Sequence, residues 1–311
     1  MYAVIGEPQT AVIEGHCVIY LSRFQSRLIA SACSLHTGQC MWTASTDHPH
    51  TFSVPLLEPS APIRLCVWTR NAMKGLFIQY GSIGYCILPT DGTLLSHTKS
   101  EHSLHNGICF QRWLIGMNAA GTQLVEYELP TFHTTRLFRF HTPVRCIARP
   151  AKDLLLLMVP GTLSQFSMRT RTWGVKYHIQ NEHMDLAEVR IGGRFVLARS
   201  SNTVYIWSAN GHQLATITTT QLQIQAFALS SIQTTGATLV LLEQTSAGYQ
   251  LRLTAVQWGG HPLLGDRTLR LSADHRHELI ASLLTLTDTL IRVIVLVTCS
   301  SIQILHDIEF T

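Results

Sequence analysis

The chain has 311 residues, 46% of them hydrophobic and only 14% charged, and its formal net charge is +4. That length supports a large core in one or two domains, and the apolar composition suits β-rich structure with Ser, Thr and Gln on the surface. No apolar run reaches the roughly 18–20 residues that a membrane helix needs, which argues against a transmembrane segment.

The opening stretch, Tyr2–Gly6, reads as a strand without a partner of its own. Met1–Pro8 has neither a basic region nor an apolar core, so no signal peptide is expected. From there the chain falls into seven segments of similar layout, about 44 residues each, within the range of one propeller blade per repeat. The first, Thr10–His48, has strands at Cys17–Ser22, Leu28–Leu35 and Cys40–Ala44. The second has Ile63–Thr69, Leu76–Tyr80, Gly84–Leu88 and Thr93–His97. In the third, Trp113–Met117, Leu124–Glu128 and Arg136–Phe140 are the clearest strands.

The fourth segment begins with a turn and strand over His141–Ala148. Leu154–Val159 follows as an unbroken apolar strand, of the kind buried on both faces. Thr162–Met168 and Trp173–His178 complete it, joined by a turn at Arg169–Arg171. The fifth segment, Asn181–Thr219, has Leu186–Arg190 and Arg194–Ala198, then a hairpin over Asn202–Thr219. Its Asn210-Gly211 dipeptide predicts a type I′ turn, which needs φ > 0 at both residues. The sixth segment has strands at Ile224–Leu229, Thr238–Leu242, Gln250–Gln257 and Thr268–Ser272. The seventh has three: Glu278–Leu286, Ile291–Thr298 and Ser301–Ile308. Three strands plus the unpartnered Tyr2–Gly6 make one more four-stranded blade, and that pairing would close a ring without exposed sheet edges.

Two stretches resemble the WD40-repeat family. Val204-Tyr205-Ile206-Trp207-Ser208 looks like the family's Val-x-Ile-Trp-Asp strand ending, with Ser208 in the Asp position. His141-Thr142-Pro143-Val144-Arg145-Cys146-Ile147-Ala148 looks like the stretch after the family's Gly-His, with Phe140 in the Gly position. The other blades match by layout and period, and the Asp–His–Ser/Thr–Trp network that braces many members is largely missing. The expectation is an all-β fold: one seven-bladed WD40-like β-propeller of four-stranded antiparallel blades over residues 1–311, closed by the N-terminal strand.

The chemistry of the sequence is sparse. There is no Gly-x-Ser-x-Gly elbow, Walker loop, His-Glu-x-x-His or Gly-x-Gly-x-x-Gly, so no enzyme and no cofactor are expected. His48-Pro49-His50 and His275-Arg276-His277 each place two imidazoles two residues apart, yet both fall in connections with no third ligand, so no metal is expected. Six of the eight cysteines lie in apolar strand patterns and no Cys-x-x-Cys occurs. That pattern fits reduced, buried thiols in an intracellular protein, cytoplasmic or nuclear. Trp42, Trp173 and Trp207 are expected on outer strands, packing between blades.

Charge is uneven. Between Thr134 and Ser200 there are eleven Lys and Arg against four Asp and Glu, although the whole chain carries only +4. Arg149, Lys152, Arg169, Arg171 and Arg194 fall in turns expected at one end of the fourth and fifth blades. They form the candidate binding rim, for nucleic-acid phosphate, an acidic lipid head group or an acidic protein segment. The functional expectation is an interaction scaffold within a multi-subunit complex, with a phosphate-binding propeller as the alternative.

Overall fold

The computed structural model describes residues 2–3, 7–37, 39–43, 51–56, 60–99, 105–159, 161–179, 186, 188–192, 195–219, 223–232, 236–245, 248–258, 267–271, 279–286, 291–298 and 301–308. They form strands throughout. In chain order these are β1 (Tyr2–Ala3), β2 (Glu7–Glu14), β3 (Cys17–Phe24), β4 (Arg27–Ser34), β5 (Cys40–Thr43) and β6 (Ser53–Pro55). Then come β7 (Ile63–Arg70), β8 (Met73–Tyr80), β9 (Ile83–Ile87) and β10 (Leu94–Lys99). Next are β11 (His105–Phe110), β12 (Trp113–Met117), β13 (Gln123–Glu128) and β14 (His133–Arg139). The fourth set is β15 (Arg145–Ala151), β16 (Leu154–Val159), β17 (Thr162–Ser167) and β18 (Thr172–His178). The fifth is β19 (Glu188–Gly192), β20 (Phe195–Arg199), β21 (Thr203–Ser208) and β22 (Gln213–Thr218). The sixth is β23 (Gln223–Ile232), β24 (Gly236–Thr245), β25 (Gly248–Gln257) and β26 (Arg267–Leu271), after which come β27 (Leu279–Leu286), β28 (Ile291–Thr298) and β29 (Ser301–Ile308).

Each set of four consecutive strands from β2–β5 to β23–β26 makes an antiparallel sheet in chain order, with β6 added beside β4. This is a β-propeller with six such blades, a correction to the expected seven. The chain's last three strands make a different sheet, ordered β1-β29-β28-β27, in which Tyr2 faces Ile302 and Ala3 faces Ser301. By contacts the chain divides into two compact units, one holding Met1–Lys152 with Leu279–Ala281 and Val297–Ile302, the other holding Asp153–Glu278, Ser282–Leu296 and Gln303–Thr311.

Within the first unit, the middle strands explain why the apolar runs are unbroken. Side chains alternate across a strand. On β8, Leu76, Ile78 and Tyr80 join a core with Ile19, Leu21 and Leu28 of the first blade. Phe77, between them, joins a second core with Leu114, Val125 and Tyr127 of the third blade. Both faces are buried, so both phases of the strand are apolar. Trp68 on β7 is fully buried and lies opposite Gly75 of β8. A Cβ on Gly75 would meet the Trp68 ring at 2.2 Å, so the glycine makes room for the indole.

The second unit repeats the logic. Val204 and Ile206 of β21 share a core with Ile217, Phe227, Leu239 and Leu241. The hairpin β21–β22 differs from expectation at its turn. Gly211 N donates to Ser208 O at 3.0 Å, and Ser208 N donates to His212 O at 2.9 Å. Only Gly211 has positive φ, +87°, while Asn210 does not. The connection is therefore a three-residue loop closed by a left-handed glycine, with a register shift between Ile206 and Trp207, rather than a type I′ turn.

Candidate functional site

The expected basic rim is not one set of residues. Arg149 is the clearest departure. Its strand, β15, runs through Pro150 to Ala151, so Arg149 sits in the strand and not in a turn. It is 6% exposed. Its Nη2 donates to Glu126 Oε2 of β13 at 2.6 Å and also to the Lys152 carbonyl. Its guanidinium lies 5.7 Å from the Phe110 ring centroid. Glu126, 2% exposed, accepts further from Thr135 Oγ1 at 2.8 Å and lies 3.6 Å from Arg136 Nε. Burial pulls the Arg149 guanidinium below its ordinary range, and the Glu126 carboxylate opposes that pull. Arg149 thus ties β15 to β13 and presents no charge to a partner.

Lys152, in the first unit, is exposed. In the second unit, Arg169 and Arg171 are exposed on the β17–β18 turn. That turn is held by Thr170 N on Ser167 Oγ at 3.3 Å, a Thr170–Thr172 hydroxyl pair at 2.7 Å, and Met168 N on Asp153 O at 2.8 Å. Arg171 has φ +58°. Lys176, also exposed, follows on β18. Arg194 lies outside the described residues, as do His48, His50, His275 and His277. Among the described residues no group of three or more His, Cys, Asp and Glu could hold a metal ion. No helix among them is long and apolar enough to cross a membrane.

The tryptophans divide three ways. Trp42 on β5 is half-buried and donates to Pro89 O at 3.2 Å, and Trp173 on β18 is 45% exposed. Trp207 lies on β21, the third strand of its blade, and is fully buried. It stacks on Tyr205 at 5.3 Å and lies 5.7 Å from Tyr177, whose hydroxyl donates to Ala209 O at 3.2 Å. Trp207 therefore packs between two blades of its unit. Its indole N–H has no hydrogen-bond partner among the described residues.

The sequence reading did not anticipate a cavity of about 480 Å³ in the first unit, between the first two blades. Met41, Trp42 and Pro89 give it an apolar wall. Lys74 Nζ and Glu14 Oε1 pair at 2.6 Å on its lining. Cys17 Sγ sits 3.2 Å from Met41 Sδ. The volume falls within the range of small-molecule pockets. Burial, and then the Glu14 carboxylate, push the Cys17 thiol up, which is the opposite of an activated nucleophile. The signal was present in separate pieces, an outer-strand Trp and two charges near strand ends, which only the fold joins.

No protein-family model and no curated protein matches the sequence. Solved structures do match, 910 chains in all. One of them is KlHsv2 with loop 6CD replaced by a Gly-Ser linker, at 10% identity and a TM-score of 0.56, covering 100% of this chain and 98% of that one. At that identity the likeness shows the propeller fold alone.

Proposed function

We propose that the chain is a non-enzymatic, WD40-like propeller, a single domain over residues 1–311, acting as an interaction scaffold within a larger intracellular complex. The observation that carries the proposal is where the exposed apolar side chains lie. Of the eight large hydrophobics exposed among the described residues, six sit on the outermost strands of blades: Met41, Leu94, Leu95, Leu137, Trp173 and Leu269. An outermost strand also offers unpaired backbone N–H and C=O groups. Apolar side chains beside free backbone groups suit a partner that adds a strand or lays a hydrophobic segment along the edge.

A second reading rests on the β17–β18 turn. Arg169, Arg171 and Lys176 are exposed within one unit, and they would serve an RNA or acidic lipid head group. One experiment separates the two. Tagged wild type, Leu137→Asp with Trp173→Asp, and Arg169→Glu with Arg171→Glu are purified from native cells at physiological salt, and their co-purifying proteins and polyanions are compared. The scaffold reading expects a recurring stoichiometric protein set, lost in the edge variant and kept in the charge reversal. Wild type that runs strictly alone overturns it. A polyanion lost on charge reversal, with steep salt dependence, supports the second reading instead.

A further inference from the structure

We propose that Cys33 and Cys40 are a modification site: a cross-strand dithiol that hydrogen peroxide converts to a reversible disulfide within the first blade. Both residues are free thiols, and they stand directly opposite one another on β4 and β5. Ser34 N donates to Gln39 O at 2.9 Å, so Ser34 and Gln39 face each other as a hydrogen-bonded pair. Pair types alternate along an antiparallel ladder, which makes the next pair, Cys33 and Cys40, non-hydrogen-bonded. Such pairs have Cα atoms about 4.5 Å apart and side chains on the same face, within reach of a disulfide. Cys40 is exposed and meets solvent oxidant first, whereas Cys33 is 5% exposed and waits behind it. The register shifts after this pair, so Met41 has no partner on β4 and Trp42 faces Ala32. Met41 and Trp42 line the cavity beside Cys17, so the bond would fix the strand end that forms the cavity wall.

The chemistry balances with the peroxide as oxidant. The Cys40 thiolate attacks one peroxide oxygen and breaks the O–O bond, giving a sulfenic acid and, after protonation, water. The Cys33 sulfur, losing its proton, then attacks the Cys40 sulfur and expels hydroxide, which that proton converts to a second water. Two thiols are oxidised and one peroxide is reduced. A dithiol reductant reverses the bond by exchange. Burial pushes the Cys33 thiol up to about 11, with Cys40 and Cys17 adding to the shift, and burial raises Cys40 too. At rest both thiols are therefore protonated, and the Cys40 thiolate that reacts is the minor form.

The test uses the full chain, reduced, then treated with hydrogen peroxide, denatured and alkylated with iodoacetamide. Trypsin releases residues 28–64, whose only cysteines are Cys33 and Cys40. The expected peptide is two hydrogen masses lighter than its reduced form, carries no alkyl group, and regains two after dithiothreitol. Cys33→Ser should leave Cys40 as a sulfenic acid and raise its labelling by dimedone several-fold over wild type. The proposal is overturned if both cysteines stay alkylatable, if Cys40 ends as a sulfinic acid beside an alkylated Cys33, or if Cys40 is linked to Cys17. The wild-type mass decides the matter even if the variant fails to fold.

Discussion

Arg149 and the Arg169–Arg171 pair belong to the same stretch of basic sequence, and the fold uses them in opposite ways. Arg149 is buried on a strand against a buried carboxylate. Arg169 and Arg171 stand in solvent on a turn fastened by its own threonines and serine. A guanidinium on an exposed turn keeps its hydration and costs little to hold. A guanidinium in a blade interface must be matched, and Glu126 matches it. The charge count is blind to this difference, because strand phase decides it, and strand phase depends on where β15 ends.

The sharpest way to break the comparison is to remove the match. Glu126→Ala leaves the Arg149 guanidinium buried without its counter-charge, a change that costs about 3–5 kcal/mol where a buried pair loses one partner. Denaturant unfolding should show that loss, and Arg149→Met, which removes the charge instead of stranding it, should lose less. If the two variants were equally stable, the pair would not be a matched interior charge.

A neutral comparison comes next in size. Gly75→Val places a side chain where the Trp68 ring lies, and overpacking of this kind costs about 1–3 kcal/mol. Trp68→Leu in the same chain should recover part of it, since the indole is what the new side chain meets. Gly211→Ala follows. It sets an L residue at φ +87° with its Cβ 2.5 Å from Lys176 O, a strain on the order of 1–3 kcal/mol. The urea midpoint should fall, and fall less for Asn210→Ala, whose φ is ordinary.

How much of this was legible follows the same division. Trp113–Met117 and Leu154–Val159 form the strands that the sequence predicts, because a strand buried on both faces is apolar in both phases. β2 escaped notice: Pro8, Gln9 and Thr10 interrupt its pattern. β11 escaped as well, since it opens His105-Asn106-Gly107 and reads as a break. Gly107 is closely packed: its N–H donates to Gln79 Oε1 at 3.1 Å, and a Cβ there would lie 3.0 Å from Gln79 Oε1 and 3.1 Å from the Phe77 ring. In the candidate rim, Arg149-Pro150 looked like a turn because proline normally stops a strand. The strand continues past it, and a surface cation becomes an interior one.

The smallest effect on stability, and the most informative about function, belongs to the exposed pair. Arg169→Glu with Arg171→Glu should change unfolding free energy by no more than about 0.5 kcal/mol, as surface substitutions away from buried networks do. Ser167, Thr170, Thr172 and the backbone of Met168 supply hydrogen bonds that hold the turn, and the reversal leaves those residues in place. A titration with a fluorescent RNA oligomer at two salt concentrations then isolates charge from fold. If the turn binds phosphate, affinity falls and the salt slope flattens together, because both count the cations neutralising the polymer. If affinity and slope are unchanged in a variant of unchanged stability, these arginines are solvated surface, and the apolar outer strands remain as the place where a partner docks.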